Sequence, residues 1–554
     1  ERSALVDFKD SYQRATDTNR RILDFLLHNA FRDDGEIEPE IDLVLDPEPP
    51  ESAVRDILGK YRFRDISGAY QNLMALAAEK ISFLSTRRCR HFLASIAPQL
   101  LRAIADTPDP DRTLIELSRV SESIGGKGVL WELFSFNPPS LKLYVHLCAT
   151  SPYLSSILTS NPGMIDELMD SLMLDKLPTL ESLESSLDDL SRGAEDLDPI
   201  LHAFKNSNHL RVGVRDILGK EDVRNTHRAL SDVAEVCLQQ ITLREYLRLV
   251  EKYGEPTTTD EAGESRPSEF IMLAMGKLGG REPNYHSDLD VVFLYEAEGM
   301  TQHRHRGRRD AATTNQHFFS QLGQRLIKVV NQLGPHGRLY ELDPRLRPTG
   351  KNGVLAVALA EFARYFAEGH GQLWERQALC KARPIYGSEA VRATAMRVVR
   401  EAMFCRPWED ANAAEIRTMR RRLEETAAPS NLKRGPGGTV DVEFCVQMLQ
   451  LKHGRDVPEI LVPGTLEAIE ALQAAGLLSE DDARHFSRSY RFLRSVEARL
   501  RLMNTTARHD FPDDPLELKK LAFLLNYESP EALEQDCIET TKAVRRRFER
   551  KFEA

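Results

Sequence analysis

No apolar run in this sequence reaches the roughly 20 residues that a membrane-spanning helix needs, and no basic-then-apolar leader opens the chain. Paired cysteines are missing as well. The seven thiols, Cys89, Cys148, Cys237, Cys380, Cys405, Cys445 and Cys537, are odd in number, widely spaced and free of any C-x-x-C. That excludes a disulfide framework or a zinc ribbon and predicts free, mostly buried thiols. Positive charge is not in excess: 74 Lys plus Arg stand against 85 Asp plus Glu, a net charge of −11. Duplex nucleic acid is a poor partner for such a balance, because phosphate neutralisation dominates that affinity. Glycine (31) and proline (28) are at ordinary levels, which excludes low-complexity polymers. What remains is a 554-residue chain, 41% hydrophobic and 29% charged, long enough for about three or four domains. We expect a cytoplasmic protein with no membrane and no nucleic-acid partner. Residue 1 is Glu, and the expectation is a piece of a longer protein.

Along the chain, residues 1–31 read as the helical tail of something preceding, with an amphipathic helix over 8–31. Residues 32–51 read as an acidic linker: from Asp33 to Glu51 there are nine acids, no bases and four prolines, too charged to pack. From 52 to 252 the apolar spacing predicts a helical spacer or regulatory domain, with Pro98 kinking a helix or marking a fresh start. Glu181 to Leu201 reads as a short solvated helix or loop. A polar boundary at 253–268 then precedes a change of texture. Phe270 to Met275, Asp290 to Tyr295, Arg338 to Asp343 and Val354 to Val357 read as strands, and Thr313 to Leu333 as a helix. Helices return after about 385. The expected class is α+β, predominantly helical, with a compact unit at 253–385 and a C-terminal helical domain at 386–554.

The chemistry centres on Gly279-Gly280 followed by Ser287-Asp288-Leu289-Asp290. Side chains two apart on a strand share a face, so Asp288 and Asp290 present adjacent carboxylates while Leu289 and Val291 turn inward. Such a pair repels unless a divalent cation sits between, and hard oxygens with a shared phosphate suit Mg²⁺. Two metals flanking one phosphoryl group require a third carboxylate. Glu341 and Asp343 share a face of the strand 338–343, and either can supply it. Arg345 and Arg347 follow and can balance phosphate charge. Glycines upstream allow backbone N–H groups to approach a phosphate. The order strand, GG, DxD, helix, strand with a third Asp is that of the DNA polymerase β type nucleotidyltransferase unit, here flanked by helical bundles.

Four blocks resemble the glutamine synthetase adenylyltransferase family, whose members are bifunctional and also remove AMP. They are GKLGGREPNYHSDLDVVFLY (276–295), YELDPRLRPTG (340–350), WERQALCKAR (374–383) and KRGPGGTVDVEF (433–444), in the expected order over about 170 residues. Pro283 and His286 depart from the family pattern, which puts the loop shape in doubt but not the acids. The resemblance implies transfer of AMP from ATP to a tyrosine of glutamine synthetase, releasing pyrophosphate. It implies metal binding and catalysis by Asp288, Asp290 and Asp343. Gly279, Gly280 and Ser287 would cradle phosphates, with Lys277, Arg345 and Arg347 as charge neutralisers. It also implies regulation by glutamine and a PII-type signal protein. Family members carry two such halves, and one GKLGG-SDLD copy is present here. WERQAL, LYELDPRLRP and the SPYLSSILTSNPGMIDELMDSL block look closer to the C-terminal, AMP-adding half. The alternatives are phosphorolytic AMP removal and a nucleotide-sensing scaffold.

Plainer roles stand beside these. Lys277 can be a solvated lysine, Arg345 and Arg347 can pair with Glu341 or Glu375, and Glu341 reads as structural. The Gly437-to-Glu443 segment reads as a capped helix start or a feature near the nucleotide. Glu443, Gln447 and Gln450 form a polar stripe. Trp374 reads as core. QHRHRGRR (302–309) reads as a solvated loop or a dock for an acidic protein surface, and His303 and His305 lack metal spacing.

Overall fold

The structure is a computed structural model that describes residues 38–79, 86–169, 176–259, 263–303, 312–335 and 337–553. The expected helix over 8–31 and most of the QHRHRGRR loop lie outside the described residues.

The chain divides into two units. One comprises the residues up to 102 together with 126–136. The acidic stretch is not the exposed loop expected of it. Pro39–Leu45 is a helix that buries Leu43 and Val44, and Glu40 is buried with them, accepting a 2.5 Å hydrogen bond from the Tyr61 hydroxyl. Proline at the first helical position and acids in the first turn favour the helix start. One apolar step is then enough to dock it. Pro98 lies inside the unbroken helix Thr86–Ala105 rather than at a break. Trp131, fully buried, donates from Nε1 to the Leu76 carbonyl at 3.2 Å.

The other unit contains residues 103–125 and 137 onward. At its centre lies a five-stranded sheet of β3 (Phe270–Ala274), β4 (Leu289–Tyr295), β6 (Leu342–Asp343), β7 (Ala356–Ala358) and β8 (Arg383–Tyr386). β3 runs antiparallel to both β4 and β8. On its other edge β4 pairs in parallel with β6 near its start and with β7 near its end. The polar boundary is itself structured: β1 (Glu255–Thr259), β2 (Ser265–Pro267) and β5 (Met300–Gln302) form a small antiparallel sheet in the order β2-β1-β5. The strand expected over 338–343 is reduced to β6, because Tyr340 is drawn off to the His209 imidazole and only Leu342 and Asp343 pair with β4.

All five residues of β3 are buried, which follows from helices on both faces of the sheet. Ile271, Leu273, Val292 and Leu294 join a core with the helices Leu359–Ala367, Glu389–Met403 and Thr439–His453. Phe270, Met272, Val291 and Phe293 face the other way, toward Leu180–Ser191, Asp198–Ile217, Val223–Tyr253 and Asn315–Asn331. Leu180–Ser191 is thus a packed helix, with Leu183 and Leu187 buried. Apolar packing therefore runs across residues 253 and 385 without a gap. The class is predominantly helical α+β, as expected. All seven cysteines are free, six of them buried. No helix among the described residues is long and apolar enough to cross a membrane.

Candidate functional site

The site is built where β4 begins. The β4–β6 register pairs Leu289 with Leu342 and Asp290 with Asp343. The leucines turn into the core, so the two aspartates lie side by side on the opposite face. Asp288 stands just ahead of β4, close enough for its charge to act on Asp290. The three acids are thus neighbours, as the spacing predicts, while Glu341 is exposed and paired with Arg338 at 2.7 Å, the structural role expected of it.

Their environments differ. Burial raises the Asp290 carboxyl to about 6, with repulsion from Asp343 and Asp288 adding to the shift and Lys433 opposing it. Burial pushes Asp343 the same way, but hydrogen bonds from the Arg345 side chain and backbone hold it below its ordinary value. Arg345 Nε reaches both Asp343 oxygens, at 2.8 and 2.6 Å, and its backbone N–H donates to Oδ1 at 2.9 Å. Asp288 is exposed. Among the described residues no trio of His, Cys, Asp or Glu is already gathered for a metal ion, and Asp343 is engaged by Arg345. Asp288 and Asp290 remain as a pair of hard oxygen donors. That fits Mg²⁺, which takes one or two carboxylates and fills its other positions with water and substrate phosphate.

The glycines have packing reasons of their own. Gly276 has φ +52°, and a Cβ there would stand 2.4 Å from Asp290 Oδ2, so glycine lets that carboxylate rest against the backbone. A Cβ at Gly279 would lie 1.8 Å from the Lys381 carbonyl oxygen. The Gly279 and Gly280 N–H groups donate to the Met275 and Gly276 carbonyls, closing a single helical turn. They are therefore engaged within the chain rather than turned outward to a phosphate. Ser287 accepts from the Asn284 N–H at 2.9 Å and from Arg501 at 3.3 Å.

Neither Lys277 nor Arg347 is free. Lys277 donates to Glu443 at 2.5 Å and to the Tyr490 hydroxyl at 2.9 Å. Burial pulls its ammonium down to about 8, against the pull of Glu443. Arg347 is buried and donates to the carbonyls of Pro344, Lys351 and Gly353, not to Glu341 or Glu375. Beside Lys277, Glu282 accepts from Lys381 and Tyr490 at 2.8 and 3.0 Å, and from the Thr465 N–H at 2.5 Å. Lys277, Lys381 and Glu443 come from three of the four sequence blocks, so this buried network is where those blocks meet.

Two cavities flank the acids. One, of about 530 Å³, is lined by Asp290, Gly276, Trp374, Gln377, Lys433 and Phe444 among others. The second, of about 430 Å³, is lined by Asp288, Ser287, Lys205, His209 and Tyr340 among others. Trp374, expected in the core, is 43% exposed at the first cavity, because its helix Leu373–Leu379 buries Leu373, Gln377 and Leu379 instead. Sequence reasoning missed Lys433, Glu282 and Lys381 as members of the site. All three lie inside quoted blocks, but only the fold brings them together.

Residues 141–398 match the glutamate–ammonia ligase adenylyltransferase family. Residues 411–552 match the family described as GlnD PII-uridylyltransferase. The bifunctional glutamine synthetase adenylyltransferase/adenylyl-removing enzyme of Thioalkalivibrio sulfidiphilus is 34% identical over 463 residues, 81% of this chain and 47% of the relative. The enzymes of the same name from Pseudomonas aeruginosa and Xanthobacter autotrophicus are each 30% identical, over 82% and 98% of this chain and 48% and 54% of theirs. The chain thus spans about half the length of the curated relatives it matches. Residues 141–398 are thus similar to the glutamate–ammonia ligase adenylyltransferase family.

Proposed function

We propose that this chain transfers AMP from ATP to a tyrosine hydroxyl of glutamine synthetase, releasing pyrophosphate, and does so in the cytoplasm. The observation that carries this is the β4–β6 register, which sets Asp290 beside Asp343, with Asp288 just ahead of the strand. We read residues 253–385 as a polymerase β type nucleotidyltransferase unit, between the helical segments 52–252 and 386–554, and the chain as the AMP-adding half of a two-site enzyme. Asp288 and Asp290 hold Mg²⁺ on the triphosphate, with Asp343 as third carboxylate. Mg²⁺, when bound, supplies charge stabilisation to the attacking and leaving oxygens.

The residues do the rest by position. ATP lies in the cavity of Asp290 and Trp374, with the indole against the adenine. The tyrosine oxygen bonds to the α-phosphorus as the bond to the bridging oxygen of the β-phosphate breaks, and pyrophosphate leaves with that electron pair. Asp343 takes the hydroxyl proton on a carboxylate oxygen once Arg345 has swung from it toward phosphate. Arg345 suits that movement, since its side chain is 60% exposed. The likeness of 411–552 to a PII-uridylyltransferase supports placing a response to a PII-type protein, and to glutamine, in the C-terminal helices.

The test incubates the chain with adenine-labelled ATP, Mg²⁺ and unmodified glutamine synthetase. Label should enter the synthetase, and Asp290→Asn should abolish it. Release of ADP from AMP-modified synthetase plus phosphate would assign the chain to the removing activity instead. Inertness in both assays would leave the scaffold.

A further inference from the structure

We propose that Lys433 is the cation that meets the triphosphate, presented by a loop whose shape is locked from behind by the buried Arg420–Asp441 pair. This rests on the ATP cavity proposed above. A triphosphate beside Asp290 brings several negative charges to a wall already acidic, and transfer of a phosphoryl group depends on neutralising them. Two cations of the motif are committed elsewhere, Lys277 to Glu443 and Tyr490 and Arg347 to three carbonyls, while Arg345 rests on Asp343 until it swings toward phosphate. Lys433 lines the same cavity as Asp290, as do the more exposed Arg422 and Arg434, and of these three it is the one whose charge acts on the Asp290 carboxyl. It is half-buried and forms no ion pair among the described residues.

Its backbone is fixed on both sides. Asn431 Oδ1 accepts from the N–H groups of Lys433 and Arg434 at 3.2 and 2.8 Å, and the Lys433 carbonyl accepts from the Val440 N–H at 3.1 Å. Behind the loop, Arg420 and Asp441 are both fully buried and pair at 2.5 Å. Arg420 also donates to the Gly435 carbonyl at 2.7 Å, and Asp441 Oδ2 accepts from the Gly437 N–H at 2.8 Å. Burying an ion pair costs desolvation, and this one is spent on the path of a loop. Gly437 completes the lock: φ is +74°, and a Cβ there would stand 1.8 Å from the Thr541 carbonyl oxygen. A rigid root with a flexible four-carbon stem is a fitting mount for a phosphate-seeking ammonium. Arg420 and Asp441 are positioning residues; Lys433 is the one that touches the nucleotide.

The experiment measures calorimetric dissociation constants for Mg²⁺–ATP and for AMP, with the full chain and its Lys433→Ala and Lys433→Arg variants. Near-UV circular dichroism checks that the variants are folded. Lys433→Ala should weaken Mg²⁺–ATP binding about tenfold or more, the scale of one charge-assisted contact. AMP, which lacks the β- and γ-phosphates, should bind within twofold of wild type, and Lys433→Arg should recover most of the loss. A folded Lys433→Ala that binds Mg²⁺–ATP as wild type does overturns the inference. So does an equal loss toward ATP and AMP, which would make Lys433 merely a counter-charge for Asp290. Failure of the wild-type chain to bind Mg²⁺–ATP would instead sink the ATP cavity itself.

Discussion

Asp290 sets folding against chemistry. Its carboxyl is raised from 3.8 to about 6, first by burial and then by Asp343. Between those values the folded state holds the proton and the unfolded state does not. Stability therefore falls as pH rises through that window, and the full penalty applies above about pH 6. Two units correspond to roughly 2–3 kcal/mol as an upper bound. Asp290→Asn should thus raise the melting temperature of the metal-free chain at pH 7.5, with the gain vanishing near pH 4, while transfer activity is lost. Thermal unfolding in chelator at the two pH values checks this, and an unchanged or lowered melting temperature at pH 7.5 would contradict it. Mg²⁺ should bind more weakly as pH drops through about 6, because it competes with that proton.

At the scale of elements, the short turn Gly276–Gly279 and the helix Leu373–Leu379 frame the cavity. Gly279 is where the turn ahead of β8 leaves no room. Gly279→Ala would drive a methyl into the Lys381 carbonyl, and we expect it to cost about 3 kcal/mol or more. Urea titration measures that cost, and a wild-type midpoint would refute it. Trp374 is the opposite case. Exposed at 43%, it should be replaceable by Ala at under about 1 kcal/mol in stability, yet with roughly tenfold weaker ATP binding. Trp374→Phe should keep most of the affinity. If Trp374→Ala binds ATP normally, the adenine lies elsewhere. The helix start at Gly438 is an element whose purpose was hidden in sequence: the first-turn acid Asp441 points back into its own loop, not to solvent.

At the scale of the whole unit, the central sheet borrows its core. Ile271 and Leu273 are covered by Leu359–Ala367 and by helices after residue 385, Phe270 and Met272 by Asn315–Asn331 and by helices before 253. The long helix Glu480–Leu502 reaches back to the segment ahead of β4, with Tyr490 on Glu282 and Arg501 on the Tyr285 carbonyl. Residues 253–385 expressed alone should therefore fail to fold, because each sheet face would keep only part of its helical cover and leave apolar surface in water. Residues 103–554 should fold with a cooperative transition. Circular dichroism and one-dimensional NMR of the two fragments decide the matter, and a dispersed spectrum from 253–385 alone would show that the sheet needs neither set of helices.

The sequence by itself determined the acids, their closeness and the helical surroundings. A single residue between Asp288 and Asp290 leaves little freedom about how far apart they stand, and apolar spacing at three and four residues marks helices with little ambiguity. Partnership over long separations is not periodic, and only the tertiary structure decided it. Lys277 finds Glu443 166 residues away, Lys381 finds Glu282 99 residues away, and Lys433 reaches the cavity of Asp290 from a loop that local pattern marks only as a helix start. A lysine carries its charge in the sequence; whether that charge is spent on a buried carboxylate or kept for a ligand depends on what the fold brings within 3 Å of it.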